Sequence, residues 1–257
     1  EVPRLPERHD EIGLLARSVS DMTSGLRHRI DAVDHFAADV AHEIKNPLAS
    51  LRSAIESLPK VDDPKLRSKL TDIATHDVRR IDRLVSEISD ASRIDSEMSR
   101  ATLEAIDLSQ LVQAIIGLRE DRAENRDNRI SLATSGNAPV VIGVGTRLER
   151  VIENLLDNAV SFSPEDAPIA VSINNDGQNI TLTICDGGPG IAADSQEKVF
   201  TRFHSVRPKA EDFGQHSGLG LAIARTIAEA HDGTLIAQDR PDGEPGACLC
   251  LQLPAAE

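Results

Sequence analysis

The feature that most constrains this chain is an apolar stripe interrupted once. Val33, Phe36, Val40, Ile44, Leu48, Leu51, Ile55 and Leu58 follow one another at steps of three or four residues. That spacing keeps one face of a helix apolar, as in the seam of a packed helix pair or bundle. The stretch "LPKVDDP" at 58–64, with two prolines and an aspartate pair, breaks the pattern. Leu66, Leu70, Ile73, Asp77, Ile81, Leu84, Ile88 and Ala91 then resume it, with Asp77 alone polar. The two runs predict a helical hairpin whose arms, at ~1.5 Å per residue, are tens of Å long. A hairpin this thin has little to pack on. It would complete its core by dimerising into a four-helix bundle.

The first arm carries "VAHEIKNPLASL", from Val40 to Leu51. His42 is two residues from both Val40 and Ile44, which turns it away from the apolar seam, and Glu43 also lies off the seam. An exposed imidazole beside a carboxylate is a nucleophile with a base for its proton. The carboxylate would hold the tautomer in which the other ring nitrogen keeps a free lone pair. Asn46 is one turn beyond His42 on the same face, where its amide could orient a water. Pro47 removes a backbone hydrogen bond and presses on the carbonyl of Glu43, which predicts a bend at this point. A lone exposed histidine on a charged helix face would carry no such meaning.

After about residue 100 the period changes. Alternating runs occur at 129–134, 139–144, 168–175, 179–186, 233–239 and 247–253, with helical patterns at 108–124, 145–162 and 217–231. They predict an α+β or mixed α/β domain with antiparallel hairpins near its middle and its end. The expected divisions are 1–30, a polar entry segment; 31–100, the helical hairpin; and 105–257, the α/β domain, with the linker near Ser99–Ala105.

Three stretches of the second domain bear on chemistry. In "ERVIENLLDNAVSFSP", Asn154 and Asn158 are one turn apart, so both amide oxygens share a face that suits a hard cation bridging phosphates. In "CDGGPGI", Asp186 ends a strand where a carboxylate can accept from the exocyclic amine of a purine. Gly188 and Gly190 would let backbone approach a ligand closely. Taken alone, that stretch reads more readily as a hairpin turn. In "HSGLGLAIARTIAEAHDG", Gly218 and Gly220 open an apolar helix, leaving free N–H groups for phosphate. A lone G-x-G is weak by itself. Between the last two lies 199–216, charged, poorly periodic and long, which reads as a mobile lid.

Composition narrows the partners. Against 28 Lys and Arg stand 42 Asp and Glu, a formal charge of -14 with no basic run, which excludes nucleic acid and anionic membrane surfaces and favours a basic surface on a protein partner. Cys185, Cys248 and Cys250 form no metal or disulfide framework and are expected as buried thiols of a reducing compartment. Cys248 and Cys250, two apart in an alternating run, are expected on one side of a strand. No run approaches the roughly 20 apolar residues of a membrane span, and no signal peptide is expected. A first residue of Glu rather than Met is expected of an excised fragment.

Together these stretches resemble the boxes of the sensor histidine kinases of two-component signalling. "FAADVAHEIKNPLASL" resembles the phosphoacceptor H box, "NLLDNA" the N box, "DGGPG" the G1 box, "FTRF" the F box and "SGLGLAIA" the G2 box, in the family's order over roughly 31–253. "DEIGLLARSVSDM" at 10–22 resembles the end of a HAMP signalling module, which normally follows a membrane span. "NAVSFSP" and "RPKAEDFGQHSGLGL" are similar to the ChvG/ExoS-type envelope-stress kinases of alphaproteobacteria.

The resemblance implies a dimeric helical hairpin carrying the phosphoacceptor, followed by an α/β sandwich of the Bergerat ATP-binding type. It implies the cytoplasmic portion of an inner-membrane protein, a homodimer that touches the membrane only through absent N-terminal segments. Carried over by position, His42 is phosphorylated from ATP, Glu43 is its base, and Asn46 orients water for dephosphorylating a response-regulator receiver domain. Asn158 would coordinate magnesium (Mg2+), with Asn154 close to the metal and phosphates. Asp186 would read adenine, and Gly188, Gly190, Gly218 and Gly220 would shape the nucleotide pocket. Two departures stand out. Where many members have Lys-Tyr after the second N-box Asn, this chain has Ser161 and Phe162, so Arg202, Arg207 or Lys209 would have to neutralise phosphate charge. His216 and Ser217 also make the approach to the G2 glycines more polar than usual. Ser161 keeps an alternative open: a kinase-deficient scaffold or phosphatase that only binds a receiver domain. A third reading keeps the ATPase fold without phosphohistidine, as in DNA-repair and chaperone ATPases, and leaves the H box unexplained.

Overall fold

The structure, a computed structural model, describes residues 11–98, 102–121, 129–203 and 218–256. The chain divides into two compact units, 1–81 and 82–257. Among the described residues no helix is long and apolar enough to cross a membrane.

The first unit is built on helix α1, Glu11–Ser57, and the first half of α2, Pro64–Met98. α1 is continuous through residue 30 and through Pro47, whose ring is buried. At ~1.5 Å per residue its 47 residues extend about 70 Å. The expected break is a short 3-10 turn, Leu58–Lys60, before α2 starts on Pro64, a residue suited to a first helical position because its missing N–H has no intrahelical partner there. The expected seam is only partly covered within one chain. Ala54 is buried at 4%, but Leu48, Ile55, Leu66 and Ile73 stay 48%, 53%, 47% and 38% exposed. Apolar side chains repeating on one helix face and left in water are a face that a further helix would bury. Asp77, the polar member of that stripe, is buried at 7%.

Among the described residues the second unit holds a five-stranded mixed sheet and a separate two-stranded ribbon. Its elements are β1 (Glu104–Asp107), α3 (Leu108–Asp121), β2 (Ile130–Gly136), β3 (Val140–Gly143), α4 (Gly145–Phe162), β4 (Ile169–Asn175), β5 (Asn179–Cys185), α5 (Gly220–Ala230), β6 (Thr234–Asp239) and β7 (Ala247–Pro254). The large sheet runs β2-β4-β5-β7-β6, with β2 parallel to β4 and every other pair antiparallel. β1 and β3 pair antiparallel on their own. The predicted hairpins are β4–β5 and β6–β7. The strand β1, four residues reading "EAID", was not apparent from the alternation of its residues.

Burial alternates along β4, where Ile169, Val171 and Ile173 point inward, and along β5, where Ile180, Leu182 and Ile184 do so. One apolar sheet face must be covered, and α4 and α5 supply the cover. α4 presents Leu148, Val151, Ile152, Leu155, Leu156 and Ala159, an unbroken three-four repeat. The polar positions between them, Asn154, Asp157 and Asn158, are thereby carried on the flank of a rigid helix.

One expectation is overturned. Cys185 and Cys248 are not thiols: they form a disulfide, with Cα atoms 4.1 Å apart. They face each other in the β5–β7 register, which also sets Cys250 opposite Thr183. Cys250 remains a buried thiol, and burial pushes it up from its ordinary pKa. The pairing arises because register across two antiparallel strands juxtaposes residues 63 positions apart.

Candidate active site

The predicted site residues fall in two groups. His42, Glu43 and Asn46 belong to the first unit and the others to the second. On α1, His42 and Asn46 are exposed, one turn apart, while Glu43 is half-buried. Glu43 turns toward the second arm of the hairpin, where Arg80 donates from Nη2 to Glu43 Oε2 at 3.0 Å. The helix thus presents an accessible imidazole next to a carboxylate whose position is set by a cation.

In the second unit, Asp186 sits at the end of β5 and is 4% exposed. Its Oδ1 accepts the backbone N–H of Gly188 at 2.8 Å and that of Ala247 at 3.2 Å. These two bonds occupy Oδ1, so Oδ2 is the oxygen available to a ligand. Burial pushes the Asp186 carboxyl above its usual pKa, while the two N–H groups and the Arg240 guanidinium oppose the rise. Arg240 Nη1 also donates to the Asp186 carbonyl at 3.0 Å and pairs with Asp242, whose carboxyl it holds down to about 2.

Close backbone contacts shape the surroundings. A Cβ on Gly188 would lie 2.6 Å from the Phe162 carbonyl oxygen and 2.9 Å from Asp186 Oδ1. Gly246, at φ 137°, leaves no room either: a Cβ there would be 2.0 Å from the Asp186 carbonyl oxygen. Gly190 abuts the carbonyl of Gly246. The loop after α4 is tied to this region, since Ser163 Oγ accepts the Gly187 N–H at 3.1 Å. Arg129 fastens the same loop through the carbonyls of Ser163 at 3.0 Å and Ala167 at 2.9 Å.

α5 begins at Gly220 beside α4, and a Cβ on Gly220 would stand 3.4 Å from Asn154 Oδ1. Among the described residues no side chain caps that helix start, where the first N–H groups point toward a ligand position. Asn154 Nδ2 is buried with no hydrogen-bond partner among the described residues. A buried amide left unsatisfied costs about 1–3 kcal/mol, so a polar ligand at this point would recover it. Asn158 lies one turn on and is half-buried. Asp157, between them, is engaged elsewhere: Arg119 Nη2 reaches its Oδ1 at 2.5 Å. Among the described residues no three His, Cys, Asp or Glu side chains are grouped to hold an ion. The donor set here is two amide oxygens, which fits magnesium held mainly by water and phosphate oxygens.

Gly218, at φ 74°, accepts the Phe203 N–H on its carbonyl at 2.9 Å, which joins the two ends of segment 204–217. Arg202 precedes that segment and is exposed. Arg207, Lys209, His216 and Ser217 lie outside the described residues, as does the body of the expected lid. Arg80, Ala247, Gly246 and Arg240 were not singled out by sequence reasoning. Only the Gly and Pro cluster at 241–246 hinted that the turn before β7 mattered, and no local signal links Arg80 to Glu43.

Two family models match the chain. The one described as "His Kinase A (phospho-acceptor) domain" matches residues 32–97, and "Histidine kinase-, DNA gyrase B-, and HSP90-like ATPase" matches 143–257. The chain is 43% identical over 267 residues to "Sensor protein ChvG" of Agrobacterium fabrum, covering 100% of this chain and 45% of that protein. It is 43% identical over 265 residues to "Sensor protein ChvG" of Rhizobium meliloti, covering 99% and 46%. The chain therefore spans under half the length of these curated relatives. Among solved structures, "histidine kinase ThkA in complex with response regulator protein TrrA" superposes with a TM-score of 0.69 at 25% identity, covering 90% of this chain and 64% of that one.

Proposed function

This chain belongs to the sensor histidine kinases, with a phospho-acceptor domain followed by an ATP-binding domain of the gyrase and HSP90 type, and from that premise we propose that it phosphorylates His42 from ATP and passes the phosphoryl group to an aspartate of a response-regulator receiver domain. The observation that carries the reading is the exposed His42 imidazole adjoining Glu43, in a chain whose second unit has an ATPase fold.

The chemistry proceeds in line. One ring nitrogen of His42 attacks the γ-phosphorus of ATP. The bond from that phosphorus to the β,γ-bridging oxygen breaks, and ADP leaves with the electron pair. The proton on the other ring nitrogen passes to the Glu43 carboxylate. Asp186 orients the purine through its free oxygen, and the start of α5 donates N–H groups to phosphate. Asn158 and Asn154 would hold magnesium, which supplies neutralisation of charge on the phosphates. Arg202, at the root of the lid segment, would add the cation that Ser161 does not. Phosphoryl transfer depends mainly on positioning and charge neutralisation, which is what these groups provide. In the second half of the cycle the N–P bond breaks and the phosphoryl group moves to a carboxylate oxygen of the receiver. Asn46, exposed on the same face as His42, would orient the water that later removes it.

The half-exposed seam of Leu48, Ile55, Leu66 and Ile73 supports a homodimer in which two hairpins form a four-helix bundle. Placement beneath an inner membrane rests on the HAMP-like stretch at 10–22. The domains are taken as 1–30, 31–100 and 105–257. A second reading, a scaffold or phosphatase without kinase activity, draws support from Ser161 alone.

Incubation with γ-labelled ATP tests the proposal. Acid-labile label is expected on the wild-type chain and none on His42→Ala. Label persisting on His42→Ala would overturn the assignment. Tight binding of an ATP analogue with no label on wild type would favour the scaffold.

A further inference from the structure

We propose that Arg80 is the positioning residue that holds Glu43 in the geometry required to take the His42 proton. The inference deepens the reading above and rests on it.

Glu43 and Arg80 are 37 residues apart and meet only because the hairpin folds. The guanidinium donates from Nη2 to Oε2 at 3.0 Å, leaving Oε1 as the atom for the imidazole proton. Both side chains are partly withdrawn from solvent, Arg80 at 19% and Glu43 at 26% exposure, so the pair is screened less than a surface pair would be. A glutamate on a helix flank otherwise samples several rotamers, and fixing one of them before reaction lowers the cost of reaching the transition state.

The second observation concerns what holds the arginine. One turn before it on α2 lies Asp77, the single charged member of the apolar stripe, with its side chain 10% exposed. Asp77 Oδ2 and Arg80 Nε are both buried without a hydrogen-bond partner among the described residues. Asp77 Oδ1 lies 3.8 Å from His76 Nδ1, while the Arg80 guanidinium is committed to Glu43. With its Nε buried and its Nη2 on Glu43, the guanidinium is held inside the hairpin rather than out in solvent.

Kinetics on the full chain test the proposal, with initial rates of autophosphorylation measured across ATP concentrations for Arg80→Ala, Arg80→Lys, Glu43→Gln and the Arg80→Ala/Glu43→Gln double variant. A charge-assisted hydrogen bond corresponds to roughly a tenfold to a hundredfold effect, so Arg80→Ala is expected to lower kcat by that factor with KM for ATP unchanged. Arg80→Lys keeps the charge and is expected to recover most of the rate. Glu43→Gln should fall by about a hundredfold or more, and adding Arg80→Ala to it should cost little further. An equal loss from Arg80→Ala in both backgrounds would overturn the positioning role, as would a wild-type rate in Arg80→Ala. Full activity in Glu43→Gln would instead remove Glu43 as the base and with it the broader reading of the H box. Circular dichroism and sedimentation of each variant separate loss of fold or dimer from loss of rate. A misfolded Arg80→Ala leaves Arg80→Lys as the deciding variant, overturning the proposal if its kcat falls as far as that of Glu43→Gln.

Discussion

Asp186 and Ala247 bind each other twice across the β5–β7 boundary: the Ala247 N–H donates to Asp186 Oδ1 at 3.2 Å, and the Asp186 N–H donates to the Ala247 carbonyl at 2.9 Å. The carboxylate is therefore fixed by the main chain of a neighbouring strand and not by a mobile side chain. Burial nevertheless outweighs these bonds and raises its pKa. For an acid whose folded pKa lies above its unfolded value, near 3.9, the associated stability is fully present below that unfolded value. It is lost as pH rises through the folded pKa. Asn at this position does not titrate. Urea unfolding of wild type and Asp186→Asn from pH 4 to pH 7 should show the variant gaining on wild type as pH rises. A difference independent of pH would contradict the raised pKa. An ATP analogue should bind Asp186→Asn far more weakly at every pH, because the acceptor for the purine amine is gone.

The glycines beside that carboxylate are required by space. Gly188→Ala would put a methyl 2.6 Å from the Phe162 carbonyl, and Gly246→Ala would put one 2.0 Å from the Asp186 carbonyl at a φ of 137°. Backbone atoms cannot rotate out of the way as a flexible side chain would. Each substitution is expected to cost about 1–3 kcal/mol in thermal or chemical unfolding. Gly177→Ala is the useful comparison. It has a positive φ of 95° but open space around it, so it carries the backbone cost alone and should be the mildest of the three. Equal losses in all three would show that crowding around Asp186 is not the cause.

Much of this molecule was legible because its signals are local. The three-four repeat of Leu148, Val151, Ile152, Leu155, Leu156 and Ala159 set out α4 over the same residues, 145–162, that the structure gives it. The alternation of 168–175 and 179–186 likewise marked the β4–β5 hairpin, which the structure forms over 169–175 and 179–185. The misses have a common physical origin in register and long-range closure. β1 owes its strand form to pairing with β3 and carries no apolar alternation of its own. Nothing local says whether Cys248 or Cys250 opposes Cys185, and the β5–β7 register decides it. Arg80 reaches Glu43 only across the turn at 58–63. The parallel pairing of β2 with β4 is equally non-local. His42, Asn154 and Asp186 were named from local chemistry, whereas Arg80 beside Glu43 and Ala247 beside Asp186 come from elsewhere in the chain.

The Cys185–Cys248 pair makes a prediction that counts atoms. Protein purified without reductant and denatured should titrate one thiol, from Cys250, and reduction should raise the count to three. The bond closes a loop of 63 residues. Chain-entropy reasoning assigns such a loop about 4 kcal/mol, so reduction should lower the urea midpoint of the α/β unit markedly. Cys250→Ser, which leaves the bond intact, should show the same sensitivity to reductant as wild type. Three thiols before reduction would disprove the pairing.

His231 joins the end of α5 to the start of α4, and its removal should be felt along α4. Its ring is buried, Nδ1 donates to the Ile227 carbonyl at 2.8 Å, and Nε2 accepts the Val144 N–H at 3.0 Å. The second bond satisfies a backbone donor at the very point where α4 begins. Gly143 packs flat against the ring, since a Cβ there would lie 2.7 Å from His231 Cδ2. His231→Ala removes both bonds and opens a void beside Leu148, at a cost of about 2–4 kcal/mol. Because α4 carries Asn154 and Asn158, the variant should also bind an ATP analogue more weakly, while His42→Ala should leave that affinity unchanged. Calorimetric titration of the two variants separates the effects. An unfolding midpoint for His231→Ala equal to wild type would show that Val144 and Ile227 find other partners and that the latch is dispensable.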